Sequence, residues 1–436
     1  MINSGSKLFA AMDRKYSILL FCIVLLSFFL RLASIYLFPV NYSNVIEEHG
    51  KFAENIYHGF GLRLDEKLPP SALRTPLYPY WLAFVYFISG LDYKVALLGQ
   101  FLLDSVTTIF VFLLGKLLFN NAKIGLFASF LWSIYLPEFI YIRRLYAENM
   151  ASTLLIIHMY FIVRALKEQM VKRKIFDYAL SGIFLGLASL CRAEYHLFPL
   201  FLLILFILPS WKGYRKQFLK GYGIMIFSFI LVLSPWIIRN YSIFGALIPG
   251  TTDVGHILVW DGIGGLQEFS DANPEIVKIY EEGMKIGSEQ YQGAYLIHPD
   301  YSEAELSRLM TIEGLRLIIK HPFKFFQRVF RRLLHSWFNY LGWWNRPFTV
   351  KDFLFVFVNL VFLVSIMYSH WRYSEKWQFY TYPLLLIILY KTILHSLLVA
   401  TPRYFLPIWP YFMIYFSFVF FQLSSRIRSI LLENNR

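Results

Sequence analysis

Two adjacent carboxylates, Glu47 and Glu48, stand in the segment that follows the first hydrophobic run of the chain. This segment reads N-Y-S-N-V-I-E-E-H-G-K-F-A-E-N-I-Y-H-G-F-G, and after an intervening stretch it continues as L-R-T-P-L-Y-P-Y-W-L-A-F. A carboxylate can act as a general base that takes the proton of an attacking hydroxyl group. Residues 39–94 are therefore the first place where we expect chemistry.

Other ionisable side chains lie in short turns that are far apart in the sequence. Arginine suits a phosphate partner, because its planar guanidinium can donate two parallel hydrogen bonds to phosphate oxygens. The candidate catalytic carboxylates are Glu47, Glu48 and Glu148. The candidate phosphate-binding residues are Arg74, Arg192, Arg239 and Arg403, and the candidate substrate-binding residues are His49, His256 and Tyr78.

The composition indicates a membrane protein. Of the 436 residues, 57% are hydrophobic and only 16% are charged, against roughly a quarter in soluble domains. Apolar runs of about 18 residues or more recur along the chain, and each is long enough to cross a bilayer as a helix. We therefore predict an all-α polytopic membrane protein.

The cysteine count and the net charge exclude several classes of function. Cys22 and Cys191 form neither a disulfide framework nor a metal-binding pattern. The net charge of +14 fits membrane topology and contact with anionic membrane lipids. Nucleic acid is not an expected partner, because the chain has no soluble basic domain that could bind it.

The hydrophobic runs predict about ten spans. They are 17–38, 95–115, 122–137, 149–166, 176–190, 195–210, 221–238, 352–370, 378–399 and 404–423. Lys and Arg concentrate in one set of short connections, which predicts that both termini are cytoplasmic and that segments 39–94 and 239–351 lie outside. Residues 77–90 are too few to cross the bilayer, so we expect an interfacial helix there.

This topology divides the chain into three predicted regions. Residues 1–238 form a transmembrane catalytic core that includes the first outer loop, 39–94. Residues 239–351 form an extracytoplasmic loop with an interfacial helix, and residues 352–436 form C-terminal transmembrane helices.

Two charged residues fall within or near the predicted spans. Asp104 should face the interior of the bundle and find a partner there, because an unpaired carboxylate in a bilayer is costly. Arg31, near the outer end of the first span, has two readings. It is either an anchor that extends to the interface or a contact for a phosphate group.

The predicted topology brings the candidate carboxylates and arginines to one membrane surface, where a phosphate group would belong to a lipid. This arrangement favours glycosyl transfer from a polyprenyl-phosphate-linked sugar. A carboxylate would accept the proton of the acceptor hydroxyl, and arginine would stabilise the departing phosphate. A transporter or flippase of lipid-linked sugars is the alternative, but it would carry its polar residues near the bilayer midplane. A purely structural protein would not need these gathered charges.

An ordered set of motifs resembles bacterial GT-C glycosyltransferases of the dolichyl-phosphate-mannose–protein mannosyltransferase-like family, which includes the aminoarabinose transferases of lipid A. The motifs are E-E-H-G-K-F-A-E-N-I-Y-H-G-F-G, R-T-P-L-Y-P, L-Y-A-E, L-C-R-A-E, S-P-W-I-I-R-N-Y-x-x-F-G-A-L-I-P and T-P-R-Y-F-L-P-I-W-P. The resemblance covers most of the chain. It implies a GT-C fold in the bacterial inner (plasma) membrane and an extracytoplasmic active site. It also implies a polyprenyl-phosphate sugar donor and a lipid, glycan or protein acceptor.

The resemblance also implies roles for individual residues. In this family an acidic residue of the first outer loop is the catalytic base. It is usually Asp, whereas this chain has Glu47 and Glu48 there, and both stay candidates with Glu48 slightly favoured. Glu148 and Arg403 match positions near the family's site. No cofactor is required by these residues, although a divalent metal between loop carboxylates, as in some relatives, stays possible.

Overall fold

The computed structural model describes residues 14–37, 48–208, 215–291, 297–338, 349–372, 378–399 and 401–434. Its first α-helices are α1 Arg14–Leu37, α2 Glu48–Tyr57, α3 Leu77–Ser89, α4 Tyr93–Phe119, α5 Ala122–Ser133, α6 Leu136–Tyr141, α7 Ala147–Lys167, α8 Val171–Cys191 and α9 Phe198–Leu202. The later ones are α10 Arg215–Phe244, α11 Val254–Ile257, α12 Pro274–Tyr291, α13 Glu303–Lys320, α14 Pro322–Phe338, α15 Val350–Arg372, α16 Gln378–Leu397 and α17 Trp409–Asn434.

Seven of these helices are long and apolar enough to cross a membrane, and they coincide with seven of the predicted spans. The chain is therefore an integral multi-pass membrane protein. The remaining predicted spans have other forms. Span 378–399 is the 20-residue helix α16, and span 122–137 is mostly the 12-residue helix α5. The described part of span 195–210, which ends at residue 208, contains α9 and a short 3-10 turn.

Proline has different effects in two of these segments. Pro137 lies in the first turn of α6, the short helix that follows the break after α5. Proline lacks a backbone N–H group and suits a helix start. The sequence also predicts that Pro235 kinks or breaks its span. Helix α10 is not broken there, because it continues through Pro235 as a single helix of 30 residues.

Helix α7 is largely buried and packs against α4 and α8. Helix α8 in turn packs closely against α10. A Cβ atom at Gly182 would lie 2.1 Å from the carbonyl oxygen of Met225, so the two backbones meet where only glycine fits. Small residues permit this kind of close approach between membrane helices.

Helix α3 forms where an interfacial helix is expected. It covers 13 residues and ends at Gly90, which has a left-handed conformation with φ 70°. Tyr78 and Leu82 are buried on one face, and Phe84 and Phe87 are exposed on the other. These exposed rings give the helix an apolar outer surface next to the bundle.

Helices α11 to α14 form a small segment with its own apolar core. Val259, Met310 and Leu317 belong to that core. Helix α14 leaves phenylalanine rings such as Phe323 exposed. At its other end, Arg332 Nε donates to the carbonyl oxygen of Ser396 in α16 at 2.8 Å. The segment is thus attached to the transmembrane bundle through α14.

A buried ion pair joins α1 to α4. Arg31 Nε lies 2.6 Å from Asp104 Oδ2, and both side chains are fully buried. Trp132 Nε1 donates to Asp104 Oδ1 at 2.9 Å, and Arg31 also donates to the carbonyl oxygen of Trp132 at 3.0 Å. The prediction that Asp104 finds a partner in the bundle is confirmed. Arg31 is neither an interfacial anchor nor free to hold a phosphate group.

Arg31→Met is expected to destabilise the protein by about 3–5 kcal/mol, because it leaves the Asp104 carboxylate buried without its cation. The thermal unfolding midpoint of the detergent-solubilised chain measures this effect. Arg14→Met, at an exposed position of the same helix, is the matched control. The double variant Arg31→Met/Asp104→Asn should recover part of the loss. Equal midpoints for Arg31→Met and Arg14→Met would contradict the structural role of the pair.

Candidate functional site

Glu148 is the centre of a charged cluster at one end of the bundle. Its Oε1 atom lies 2.8 Å from Arg192 Nη1 and 3.3 Å from Arg403 Nε. The Glu148 side chain is only 3% exposed. Two guanidinium groups share this carboxylate, so the cluster of Glu148, Arg192 and Arg403 keeps an excess of positive charge that suits an anion.

The local fold explains how these three residues meet. Glu148 lies in the first turn of α7, where the helix dipole favours a negative charge. Arg192 is the extended residue that ends α8. Arg403 lies in the 3-10 turn Pro402–Ile408, just before α17. Three helix ends thus supply one charged group each.

Glu194 ties this cluster to α16. Its Oε1 atom lies 3.0 Å from Arg192 Nε and 2.6 Å from Lys391 Nζ, and its Oε2 atom lies 3.0 Å from His395 Nε2. Burial alone would raise the pKa of Glu194, but these neighbours hold that pKa well below its usual value. The one-turn spacing of Lys391 and His395 is visible in the sequence, but it does not reveal Glu194 as their partner.

Tyrosine rings fix the two arginines of the Glu148 cluster. The guanidinium carbon of Arg192 lies 4.4 Å from the ring centre of Tyr404. The same atom of Arg403 lies 4.3 Å from the ring centre of Tyr146. Cation–π contacts of this kind strengthen where water is excluded. Both guanidinium groups are therefore held in place before any ligand arrives.

Arg74 forms a second group with carboxylates from two distant segments. It binds both Glu48 of α2 and Asp253, just before α11. His256 Nδ1 lies 3.3 Å from Asp253 Oδ1. Burial would raise the pKa of Asp253, but Arg74 and His256 lower it to about 2. The sequence reasoning missed Asp253, whose only signal was its place in the glycine-rich stretch I-P-G-T-T-D-V-G.

Hydrogen bonds hold the backbone on both sides of Arg74. The backbone N–H of Ala72 and the hydroxyl of Thr252 both donate to Glu303 Oε2 at 2.9 Å. Thr75 donates to the carbonyl oxygen of Cys191 at 2.8 Å. Because Cys191 precedes Arg192, this last bond connects the Arg74 loop to the Glu148 cluster. Glu303 is another positioning residue that the sequence did not indicate.

His49 lies between the two groups. Burial lowers the pKa of His49 well below its usual value, and the charges of Arg74, Arg192 and Arg403 lower it further. Its Nδ1 atom is buried and has no hydrogen-bond partner among the described residues. The neutral imidazole therefore stands among three guanidinium groups with one unpaired polar atom.

Tyr78 packs against His49 and helps to fix its position. The two rings meet edge to face with their centres 5.3 Å apart. The Tyr78 hydroxyl donates to the side-chain oxygen of Gln100, and Gln100 Nε2 donates to the carbonyl oxygen of Arg144 at 2.9 Å. Tyr78 is fully buried. It therefore positions His49 and is not placed to contact a substrate.

Most of the predicted site residues come together, and one does not. Arg239 donates to the carbonyl oxygen of Ser71 at 2.9 Å, and its guanidinium carbon lies 4.8 Å from the ring centre of Trp236. Arg239 thus holds the backbone of the first loop at Ser71. It is not paired with the carboxylates that bind the other three predicted arginines. Glu47 lies outside the described residues.

The described residues do not fit a divalent metal as they are arranged. Across the ranges given above, no three His, Cys, Asp or Glu side chains are grouped closely enough to hold an ion. The carboxylates of Glu48 and Asp253 face each other, but the guanidinium of Arg74 lies between them. A metal ion and this guanidinium cannot occupy the same place.

Comparison with known proteins confirms the family resemblance. Residues 73–238 match the family described as dolichyl-phosphate-mannose-protein mannosyltransferase. This segment includes Arg74, Glu148 and Arg192 but neither Glu48 nor Arg403. A search of curated proteins finds no match.

Solved structures share the fold at low sequence identity. The archaeal oligosaccharyltransferase AglB from Archaeoglobus fulgidus, in complex with an inhibitory peptide and a dolichol-phosphate, superposes with a TM-score of 0.56 and 15% identity. The match covers 97% of this chain and 52% of AglB, so the chain spans about half the length of that protein.

Two further structures are similar. The A. fulgidus oligosaccharyltransferase in complex with Zn and sulfate gives a TM-score of 0.55 and 16% identity over 95% of this chain and 51% of that protein. ArnT from Cupriavidus metallidurans bound to undecaprenyl phosphate gives a TM-score of 0.43 and 12% identity over 93% of this chain and 78% of that protein. This last score is too low to support an argument about the fold.

His49 should stay neutral as the pH falls below its ordinary pKa of 6.5. Since the unfolded chain binds a proton there and the folded chain does not, stability should decrease as the pH falls from that value towards the lower folded-state pKa. Imidazole NMR shifts measured against pH in detergent micelles check this, with His49→Gln to assign the signal. Arg74→Met should raise the pKa of His49 by removing one positive charge. A midpoint near 6.5 in the unsubstituted chain would contradict the described environment.

Proposed function

We propose that this chain, a mannosyltransferase-like protein with the GT-C glycosyltransferase fold, is a membrane glycosyltransferase. It takes a sugar from a polyprenyl-phosphate carrier and passes it to a hydroxyl group of a lipid, glycan or protein. The dolichol-phosphate in the AglB complex supports a carrier of this chemical class.

The observation that carries this proposal is the pairing of two guanidinium groups, those of Arg192 and Arg403, with the one buried carboxylate of Glu148. Glu148 and Glu194 set two negative charges against the three positive charges of Arg192, Arg403 and Lys391, so the positive charge is only partly neutralised. A phosphate oxygen suits this place, because arginine binds phosphate through charge-assisted hydrogen bonds. The unpaired Nδ1 atom of neutral His49 can donate a further hydrogen bond if its proton is on that nitrogen.

Glu48 is the carboxylate that we assign as the base. Its side chain is 34% exposed, against 3% for Glu148, so an acceptor hydroxyl can reach it. As the acceptor oxygen forms its bond to the anomeric carbon, Glu48 takes the hydroxyl proton. The bond between that carbon and the phosphate oxygen breaks, and its electron pair leaves with the phosphate. Arg192 and Arg403 stabilise the charge that develops there.

Glu148 has a different role in this proposal. Because it is buried against Arg192 and Arg403, it orients both guanidinium groups and takes no proton. Glu47, next to Glu48 in the sequence, stays a second candidate for the base. His256 acts through Asp253 on Arg74.

We assign no step of the proposed reaction to a divalent cation. The complex of the archaeal protein with Zn and sulfate makes such a cofactor worth considering. In this chain, however, Glu48 and Asp253 both bind Arg74. Every step of the proposed reaction therefore uses residues of the chain itself.

The proposed reaction takes place on the extracytoplasmic side, and both termini are cytoplasmic. The excess of Lys and Arg in the opposite set of short connections supports this orientation. The basic helix α14, with Lys324 and Arg328 beside exposed Phe323, would then contact lipid headgroups at the outer surface.

In the part of the chain that the structure describes, no contact supports the transporter alternative. A transporter would need polar groups that open to a pathway near the midplane. The buried pair of Arg31 and Asp104 is instead closed off by Ser27 and Trp132. The exposed carboxylate, Glu48, lies in the first loop, as a surface reaction requires.

Glu48→Gln should lower the transfer rate by roughly 10²–10⁴-fold, the usual contribution of a general base. Mass spectrometry of envelope glycans and lipids from cells with and without the chain identifies the product. Product formation is then measured in membranes from each variant. Arg403→Gln should mainly raise the KM for the donor, and Glu66→Gln, at an exposed position of the same loop, should change neither constant. Normal turnover in both Glu47→Gln and Glu48→Gln would contradict the assignment of the base.

Cysteine labelling tests the proposed orientation. An impermeant maleimide added to spheroplasts should label Lys278→Cys, because Lys278 is 75% exposed on α12. It should label Lys172→Cys, at an exposed position near the start of α8, only after the membrane is permeabilised. The chain with only its native cysteines gives the background signal. The reverse pattern would place the proposed site on the cytoplasmic side.

A further inference from the structure

A second carboxylate cancels the positive excess of the Glu148 cluster. Glu148 alone leaves Arg192 and Arg403 with one positive charge in excess. Glu194 binds another side of Arg192, with its Oε1 atom 3.0 Å from Arg192 Nε. Two guanidinium groups then face two carboxylates, so these four side chains together carry no net charge. The cluster needs a further positive charge to attract an anion.

The Arg74 group does not supply this charge. Glu48 and Asp253 both bind its single guanidinium. With His256 counted as neutral, that group has one negative charge in excess. The source of the positive charge therefore lies on the other side of Arg192.

Lys391 of α16 restores the positive excess. Its Nζ atom lies 2.6 Å from Glu194 Oε1, the same oxygen that Arg192 binds. The Lys391 side chain is fully buried, whereas those of Arg192 and Arg403 are 17% and 24% exposed. The lysine thus neutralises Glu194 from inside the bundle and leaves guanidinium charge available to a ligand.

We infer that Lys391 gives the Glu148 cluster its affinity for a phosphate group, although the lysine itself does not contact the ligand. It is a positioning residue that acts through Glu194 on Arg192. Solvent screens charges between buried groups only weakly, so one charge in this cluster should have a measurable effect. The inference rests on the proposed function only in taking a phosphate group as the ligand of Arg192 and Arg403.

The turn that carries Arg192 and Glu194 has attachments that do not depend on the lysine charge. The hydroxyl of Tyr390 in α16 donates to the backbone carbonyl oxygen of Glu194. The guanidinium carbon of Arg192 lies 4.4 Å from the ring centre of Tyr404. Removal of the Lys391 charge should therefore change the electrostatics of the cluster more than its geometry.

His395 offers a comparison within the same helix. Its Nε2 atom lies 3.0 Å from Glu194 Oε2, and its Nδ1 atom lies 3.1 Å from the carbonyl oxygen of Val399. Counted as neutral, this imidazole shares a partner with Lys391 but adds no charge. Its removal should leave the affinity for a phosphate group nearly unchanged.

The test is the binding of farnesyl phosphate, a short polyprenyl phosphate, to the full-length chain in detergent, measured by isothermal titration calorimetry. Lys391→Met should weaken binding by at least roughly tenfold, because the cluster loses its excess positive charge. Lys391→Arg should keep the affinity. Lys391→Met/Glu194→Gln restores the charge balance and should recover most of the loss. His395→Gln should bind like the unsubstituted chain.

Two controls separate the charge effect from other causes. Lys167→Met removes a lysine charge at the opposite end of α7 from Glu148, where Lys167 Nζ donates to the carbonyl oxygen of Leu118 at 2.8 Å. This variant should bind farnesyl phosphate normally. Farnesol, which lacks the phosphate group, should bind the unsubstituted chain and Lys391→Met equally.

Four results would overturn the inference. They are an unchanged affinity in a folded Lys391→Met variant, a loss that the double variant does not recover, an equal loss in His395→Gln, and an equal loss for farnesol. An unfolding midpoint near that of Lys167→Met shows that Lys391→Met is folded. If it does not fold, Glu194→Gln is compared with the double variant instead. These two differ by the same lysine charge, so the double variant should bind more weakly.

Binding and turnover separate this inference from the proposed function. If the unsubstituted chain does not bind farnesyl phosphate, the phosphate role of Arg192 and Arg403 fails, and the inference fails with it. If the chain binds the probe and Lys391→Met weakens that binding, but no product forms in membranes, only the proposed transfer is contradicted.

Discussion

A carboxylate that is buried at the end of a membrane bundle needs cations, and Glu148 has two. Arg192 comes from the end of α8 and Arg403 from the turn before α17, so one carboxylate joins parts of the chain that are far apart in sequence. Glu194 extends the same pairing to Lys391 in α16. The separation of these charges would leave each of them buried and unpaired, which is costly in a medium of low polarity. Charge neutralisation therefore fixes the relative positions of these helix ends.

The two carboxylates of the site differ mainly in their access to water. Glu148 is nearly enclosed, whereas a third of the Glu48 side chain is exposed. An enclosed carboxylate keeps its partners in place, and an exposed one can exchange a proton with a substrate. Asp253, just before α11, and Glu303, at the start of α13, lie on the exposed side. The segment that carries these two residues therefore forms part of the site and is more than a connection between helices.

The sequence predicted those features that depend on composition and local spacing. Long apolar runs located the seven long membrane helices, and the short apolar run after Pro76 gave α3. The grouping of Glu148, Arg192 and Arg403 followed once their turns were placed at one membrane surface.

Features that depend on packing between distant segments were beyond the sequence reasoning. Asp253 and Glu303 stand in polar stretches where many carboxylates simply face water, and nothing local marks them as partners of the Arg74 loop. Arg239 is the same residue type as Arg192 and, like it, lies just past the end of a predicted span, yet it turns towards Ser71. The span predicted at 195–210 is mostly apolar, so hydrophobicity alone could not show that the backbone of its described part forms short turns.

The ion pair between Arg31 and Asp104 has a consequence for the biosynthesis of the chain. Helix α1 leaves the ribosome before α4, so at that stage Arg31 lacks the Asp104 carboxylate that it pairs with in the folded chain. A lone arginine is costly in the lipid interior. Helix α1 must therefore stay near the insertion machinery, or keep Arg31 at the interface, until α4 arrives. The two helices can therefore reach their paired positions only after α4 has been made.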